Sequence, residues 1–286
     1  MTPRAAKARK APTCQSAFQQ IARQCVASVR RHHAAACLGN PEAIHQIRIA
    51  LTKLHAARKF FATMTRDAAW PKLKEELGWL NEALGAARDS DVATNYAKAQ
   101  HKRTLAVMDG ELLARETMQT HRRLTSVLRT KRCDQLLAGL EHWIDAGPWL
   151  KEAGVEAKQR RGQLLADYAP DRLQRWKRRL ARDAAEGMKR EKRRHQVRID
   201  AKRYRYMHEA LVGIGMKDDR SGLQQREAAH SVQSALGDLR DLQRFRKIQP
   251  DSMSPDFYRK QKKRLLQKTR DAFRRLAWSA PQRWRT

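Results

Sequence analysis

A short motif that contains a histidine and an arginine occurs twice in the chain. The first copy reads His45-Gln46-Ile47-Arg48-Ile49, and the second reads His195-Gln196-Val197-Arg198-Ile199. Imidazole and guanidinium groups donate hydrogen bonds to anions, and a spacing of three residues places them on one face of a helix. The repeated motif therefore predicts an anion-binding site that is built from two copies of one unit.

A second motif follows each copy at nearly the same distance. It reads Ala83-Leu84-Gly85 with Arg88-Asp89 in the first half, and Ala235-Leu236-Gly237 with Arg240-Asp241 in the second. Two motifs in one order indicate an internal duplication. We interpret each Arg-Asp pair as structural, with the aspartate at a helix start, where the helix dipole favours a negative charge. The pattern predicts no metal ligands and no catalytic residues.

Further cations share the helical face of the His-x-x-Arg motifs, and others form a row on the helix that precedes each motif. A single lysine or arginine is more often a solvated surface residue, but a repeat at the same register in both halves favours binding. The candidate ligand-binding residues are Arg30, His45, Arg48, Lys53, His55 and Lys59 in the first half, and Arg172, Arg175, Arg179, Arg182, His195, Arg198, Lys202, Arg203 and Arg205 in the second.

The composition agrees with a polyanionic partner. The 286 residues include 61 Lys and Arg against 30 Asp and Glu, which gives a formal net charge of +31. This excess opposes compaction unless counter-ions or a polyanion relieve it. No run of about 18 apolar residues exists, so no membrane span or membrane partner is expected, and the N-terminus lacks the apolar segment of a secretory signal. We therefore expect a cytoplasmic protein.

The four cysteines point to the same compartment. Cys14, Cys25, Cys37 and Cys133 form no C-x-x-C pair, and their spacing suits neither a zinc site nor a compact disulfide framework. We expect reduced, mostly buried thiols and no cofactor.

The sequence predicts an all-α fold. Ala, Leu, Arg, Lys, Glu and Gln dominate, and glycine and proline are sparse. Helices are predicted from about Gln15 to Leu38, from Pro41 to about Arg66, and from about Pro71, with a new helix at Arg88-Asp89. In the second half, Pro170 is predicted to open a helix, and another follows from about Glu191 to Val212. We predict a basic disordered tail (1–13) and two pseudosymmetric four-helix-bundle repeats (14–147 and 148–286), joined near Gly147-Pro148 and packed around a basic central groove.

The cationic rows contain almost no aromatic residues. Proteins that bind single-stranded nucleic acid interleave aromatic residues for base stacking, and the nearest candidates here are Tyr204, which falls in an apolar row, and Tyr206. A ligand made of phosphate alone needs cations without stacking surfaces. Non-specific binding of RNA or DNA through electrostatics remains the alternative, whereas no P-loop, nucleophile elbow or H-E-x-x-H motif supports an enzyme.

Both motifs resemble those of the CHAD family, the conserved histidine α-helical domain. The similarity lies in residues 40–48, in residues 195–206, and in Leu84-Gly85 and Leu236-Gly237 with their Arg-Asp pairs. The resemblance implies two four-helix repeats around a basic groove that binds inorganic polyphosphate, and residence of some members on polyphosphate granules. Where the family continues its first motif with further arginines, this chain has Thr52, Lys53 and His55, so we expect the second half to contribute more of the affinity.

Overall fold

The computed structural model describes residues 11–104, 110–218, 220–248 and 253–278, and these residues form an all-α fold. Among them no strand forms, and Thr13 and Leu164 make an isolated antiparallel bridge. The helices are α1 (Cys14–Cys37), α2 (Pro41–Phe60), α3 (Trp70–Thr104), α4 (Gly110–Leu128), α5 (Lys131–Ala146), α6 (Pro148–Lys151), α7 (Val155–Gly162), α8 (Leu165–Lys189), α9 (Glu191–Gly213), α10 (Arg220–Ile248) and α11 (Pro255–Trp278).

The corner between α1 and α2 has the structure that its residues predict. Gly39 adopts a φ of 77°, a left-handed conformation that favours glycine. The Asn40 side chain accepts hydrogen bonds from the N–H groups of Glu42 and Ala43, and Pro41 occupies the first helical position. This corner sets the direction of α2, which carries the first His-x-x-Arg motif.

Three predicted helix boundaries are wrong. α2 ends at Phe60, and Asp67 then caps α3 by accepting hydrogen bonds from the N–H groups of Ala69 and Trp70. α3 continues through Arg88-Asp89 to Thr104, because no glycine or proline follows to interrupt an alanine-rich helix. α8 begins at Leu165 and contains Pro170, because Leu165 and Ala169 are buried in the core and extend the helix before the proline.

One hydrophobic core joins residues from both halves of the chain, from Cys14 to Leu276. Phe18 makes edge-to-face contacts with Trp143 and Trp149, at 5.7 and 5.4 Å between ring centroids. The Trp143 indole N–H donates to the carboxylate of Asp67 at 2.8 Å, which ties α5 to the start of α3. A smaller cluster around Leu242 and Phe245 packs α10 on α11.

The thiols and the chain start also take part in this packing. Cys14, Cys25 and Cys133 are buried and Cys37 is half-buried, all as free thiols. The N–H of Leu165 donates to the carbonyl of Pro12, so the first described residues are paired with the start of α8. Most of the predicted tail, residues 1–10, lies outside the described residues. The division into two four-helix bundles stays a prediction.

No helix in the described ranges is long and apolar enough to cross a bilayer.

Candidate functional site

The two helices that carry the His-x-x-Arg motifs pack against each other. Two ion pairs join α2 to α9: Lys53 Nζ lies 3.9 Å from Glu209 Oε2, and Lys59 Nζ lies 3.7 Å from Asp200 Oδ1. The helices that carry the Arg-Asp motifs, α3 and α10, also contact each other, and they flank α2 and α9 respectively. These four helices position the candidate site.

Arg48 of α2 and Arg198 of α9 are half-buried and share their electrostatic surroundings. Burial is the main cause that lowers the pKa of both guanidinium groups; Arg240 of α10 lowers both further, and Asp89 of α3 opposes the shift in both. Arg198 Nε is buried and has no hydrogen-bond partner among the described residues. Both copies of both motifs thus meet in one group, here called the central cluster: His45, Arg48, Arg88, Asp89, His195, Arg198, Lys202, Arg240 and Asp241.

Lys202 is the lysine of this cluster, and its neighbours are mainly cations. Its pKa falls from 10.5 to about 8, first because the side chain is largely withdrawn from water, and then because Arg48, Arg198 and Arg205 are nearby. None of the described carboxylates forms an ion pair with it. An anion that reached Lys202 would therefore meet several positive charges held close together.

The aromatic ring of Tyr206 lies within cation–π distance of three cations. Its ring is buried, and the charged groups of Lys53, Lys202 and Arg205 lie 5.5, 5.4 and 4.5 Å from the ring centroid. These distances allow cation–π attraction, which helps to hold like charges together. The buried ring cannot stack on a base. Tyr204 is a core residue, as its place in the apolar row predicts.

The three candidate histidines, His45, His55 and His195, are mostly neutral at pH 7. Burial is the main cause that lowers the pKa of His45, His195 and His55 below 6.5. The next cause is Arg88 for His45, Arg198 for His195, and a cation outside the central cluster for His55. At neutral pH these rings supply hydrogen bonds rather than charge, and they gain charge as the pH falls.

Two carboxylates of α9 pair with cations that lie outside the central cluster. Asp200 accepts from Arg203 at 3.1 Å and lies beside Lys59, and Glu209 accepts from Arg205 at 3.0 Å. Arg205 also donates to the side-chain oxygen of Gln233 of α10 at 3.1 Å. Arg203, Lys59 and Arg179 line one small cavity beside Asp200. These cations are partly neutralised, unlike Lys202.

The Arg-Asp motifs lie in the middle of their helices, so the prediction that each aspartate begins a helix is wrong. Asp89 of α3 forms ion pairs across the interface with Arg240, at 3.5 Å, and with Arg244 of α10. Burial raises the pKa of Asp241, and Arg240 and Arg198 oppose that rise. Sequence reasoning did not place Arg88, Arg240 and Arg244 among the site residues, although the first two belong to the repeated motif, which could have found them.

Gly85 leaves room for Arg48. A Cβ atom at position 85 would lie 3.2 Å from Arg48 Nη1, closer than ordinary van der Waals contact, whereas a Cβ at Gly237 would meet nothing within 4 Å. The glycine of the first copy therefore allows the guanidinium to lie against α3.

Four predicted site residues point elsewhere. Arg30 donates twice to Glu141 of α5, at 2.6 and 2.8 Å. Arg172 donates to the carbonyls of Phe60 and Lys59 at the end of α2, at 3.1 and 3.2 Å. Arg175 and Arg182 are exposed on α8. The structure does not bring these four into the central cluster.

Two cavities open on either side of Arg198. One, of about 180 Å³, is lined by His195, Arg198 and Arg240, together with residues of α9 and α10. The other, of about 260 Å³, is lined by residues of α2, α3 and α9, which include His55, Lys202 and Arg198. Within the described ranges, no three His, Cys, Asp or Glu side chains are grouped so that they could hold a metal ion. The charged side chains that line the two cavities are all cationic.

Comparisons with known proteins agree with the motifs and the fold. The model of the CHAD domain family matches residues 20–248, which contain all four motifs. The crystal structure of the CHAD domain from the plant Ricinus communis is similar, with a TM-score of 0.72 and 22% sequence identity over 100% of this chain and 99% of that chain. That identity supports the fold alone. No curated protein matches the chain. Because the family model matches most of the length of this chain, and the motifs lie together in one cluster, the chain belongs to the CHAD domain family.

Proposed function

We propose that this protein binds inorganic polyphosphate, without turning it over, along a basic groove through the central cluster. The observation that carries the proposal is the position of Lys202, which is partly buried among three arginines with no carboxylate partner in the described structure. Withdrawing like charges from water costs free energy. A polyanion that enters the cluster would offset that cost.

The shape of the site fits a thin polymer of phosphates. The two cavities share Arg198, so a chain could pass from the α9–α10 side to the α2–α9 side and meet guanidinium, ammonium and imidazole groups in turn. Arginine binds phosphate oxygens in a bidentate manner, and lysine acts as a mobile point charge. The aromatic ring at the centre, Tyr206, is buried beneath cations and offers no stacking surface.

Family membership supports the same ligand, since the CHAD resemblance implies polyphosphate binding. It also implies association with polyphosphate granules, and we propose a cytoplasmic location with recruitment to such granules. A fluorescent fusion that stays diffuse in cells with abundant granules would contradict the recruitment. Polyphosphate whose length distribution shortens during incubation with the pure protein would contradict binding without turnover.

A competition titration tests the ligand. Labelled long-chain polyphosphate at near-physiological salt is challenged with unlabelled polyphosphate, RNA, duplex DNA and orthophosphate at equal phosphate concentration. We expect only unlabelled polyphosphate to displace the label efficiently. Equal displacement by RNA or DNA per phosphate would show a general polyanion binder instead.

Paired substitutions test the site and its predicted asymmetry. Arg198→Gln with Lys202→Gln should weaken polyphosphate binding more than Arg48→Gln with Lys53→Gln, because Lys53 is already paired with Glu209 whereas Lys202 has no such partner. A variant that removes two charges elsewhere, from the exposed Arg122 and Arg123 of α4, is the control. Equal losses from the first two variants would refute the asymmetry, and equal losses from all three would refute the site.

A further inference from the structure

The last described helix, α11, presents a second cationic surface. Residues 255–278 contain nine lysines and arginines against two aspartates. Eight of the nine are exposed, at positions 259, 260, 263, 264, 268, 270, 274 and 275. None of them belongs to the candidate residues that the motifs predict or to the central cluster.

The opposite side of α11 is already buried. Leu265, Ala272, Phe273 and Leu276 are buried, and the helix packs on α10 and α8. Among its described side chains, α11 therefore has no free apolar face that could insert into a membrane. The described solvent face also lacks the exposed large apolar residues that a typical protein interface would bury.

The cations on this face differ in whether they have an acidic partner. Lys268 lies 2.7 Å from Asp238, Arg274 lies 3.7 Å from Asp271, and Arg259 pairs with Asp256. Arg270 donates to the side-chain oxygen of Gln267 at 3.4 Å. Among the described residues, no carboxylate forms an ion pair with the remaining four: Lys260, Lys263, Arg264 and Arg275. These four are free to neutralise charges on another molecule.

We propose that the solvent face of α11 binds the phosphate backbone of double-stranded nucleic acid, separately from the central cluster. The cations of this face are exposed, so they can reach the phosphates of a thick polymer, whereas the central cluster suits a thin chain. Residues one turn apart, such as Lys260 and Arg264, are about 6 Å apart along the axis, so successive cations can meet successive backbone phosphates. None of the side chains that the structure describes as exposed on this face is aromatic, which favours a duplex over a single strand.

The test removes the four unpaired charges together. A variant with Lys260, Lys263, Arg264 and Arg275 changed to Gln is titrated with a labelled DNA duplex of about 20 base pairs, between about 50 and 200 mM salt. If all four contact phosphates, the slope of log K against log salt should fall in magnitude by about 3 to 4, and affinity at about 100 mM should drop at least thirtyfold. A double variant, Lys260→Gln with Arg264→Gln, should show about half the change in slope and guards against misfolding.

The matched control removes the same net charge from another surface. Arg122, Arg123, Arg129 and Lys131 are exposed at α4 and the start of α5, and their change to Gln should leave duplex binding within about twofold. An equal loss in this control would overturn the proposal, because binding would then follow net charge alone. Tighter binding of a single-stranded RNA of equal length would also overturn it. So would a quadruple variant that keeps duplex binding and loses only its binding to anionic lipid vesicles.

Failure of this proposal can be told apart from failure of polyphosphate binding. The α11 variant should keep its affinity for polyphosphate, and the Arg198→Gln, Lys202→Gln variant should keep its affinity for the duplex. If the α11 variant loses both ligands in parallel, the two surfaces act as one and the separation proposed here is wrong.

Discussion

Polyphosphate binding should weaken as the pH rises through 8, because Lys202 loses its proton in the free protein. Its pKa is about 8 without ligand, so about nine-tenths of the molecules carry this charge at pH 7 and about one-tenth at pH 9. A bound polyanion favours the charged form and returns the pKa toward the ordinary value of 10.5. The complex therefore stays protonated over this range while the free protein does not.

The size of the effect follows from proton linkage. Between pH 7 and pH 9 the affinity should fall about tenfold, which corresponds to about 1.4 kcal/mol. The pKa values of His45 and His195 lie below 6.5 in the free protein, so these side chains should strengthen binding mainly at lower pH. The assay is fluorescence anisotropy with labelled long-chain polyphosphate at constant ionic strength, since the interior phosphates of a long chain stay ionised throughout.

Two conservative variants test whether Lys202 causes the fall in affinity between pH 7 and pH 9, here called the step. Lys202→Arg should remove it, because a guanidinium stays protonated across the range. Lys59→Arg should keep it, because Lys59 lies beside Asp200 outside the central cluster. Calorimetry in buffers of different ionisation enthalpy should show an uptake of about half a proton per binding event at pH 8. A flat wild-type profile, or an unchanged step in Lys202→Arg, would refute the assignment of charge to this side chain.

Three further outcomes follow from the structure. Lys202→Met should raise the free energy of unfolding of the ligand-free protein by about 1 to 3 kcal/mol while it weakens polyphosphate binding, because it removes a poorly solvated charge; a less stable variant in chemical denaturation would contradict this. Gly85→Ala should weaken binding about two- to fivefold by displacing the Arg48 guanidinium, yet it should not lower the melting temperature, because alanine favours helix. Gly237→Ala, where space is free, is the control. Equal effects of the two substitutions on binding would contradict the reasoning. Asp67→Asn should cost about 1 to 3 kcal/mol of stability in thermal unfolding, because it weakens the bond from a buried indole N–H to the cap of α3; a change below about 0.5 kcal/mol would show that the bond is dispensable.

Much of the fold could be predicted from local signals. The Gly39-Asn40-Pro41 corner and the extent of α9 follow from capping residues and helical periodicity. The start of α8 depends on tertiary packing, because burial of Leu165 extends the helix before Pro170. The continuation of α3 past Arg88 follows from the absence of glycine and proline there, so that boundary could have been predicted from the sequence.

The candidate site could be predicted in part. The duplication identifies Arg48 and Arg198, which the structure brings into one cluster, because a repeat at the same register reflects a shared environment. It does not reveal that Arg30 is held by Glu141 or that Arg172 binds backbone carbonyls, because those partners lie far away in the sequence. The cation–π contacts of Tyr206 could not be predicted for the same reason. A tyrosine beside arginines in the sequence gives no sign that its ring contacts cations from two helices.

The single ring of Tyr206 has a consequence for symmetry. When the two His-x-x-Arg motifs are aligned, Ala56 occupies the position that corresponds to Tyr206, and Thr52 the position that corresponds to Lys202. A two-fold dimer of one copy would hold two rings and two central lysines, or none, because every residue of an isologous interface occurs twice. Joining the copies in one chain frees each from matching the other, so a unique lysine and a unique ring can occupy the middle of an otherwise repeated pattern.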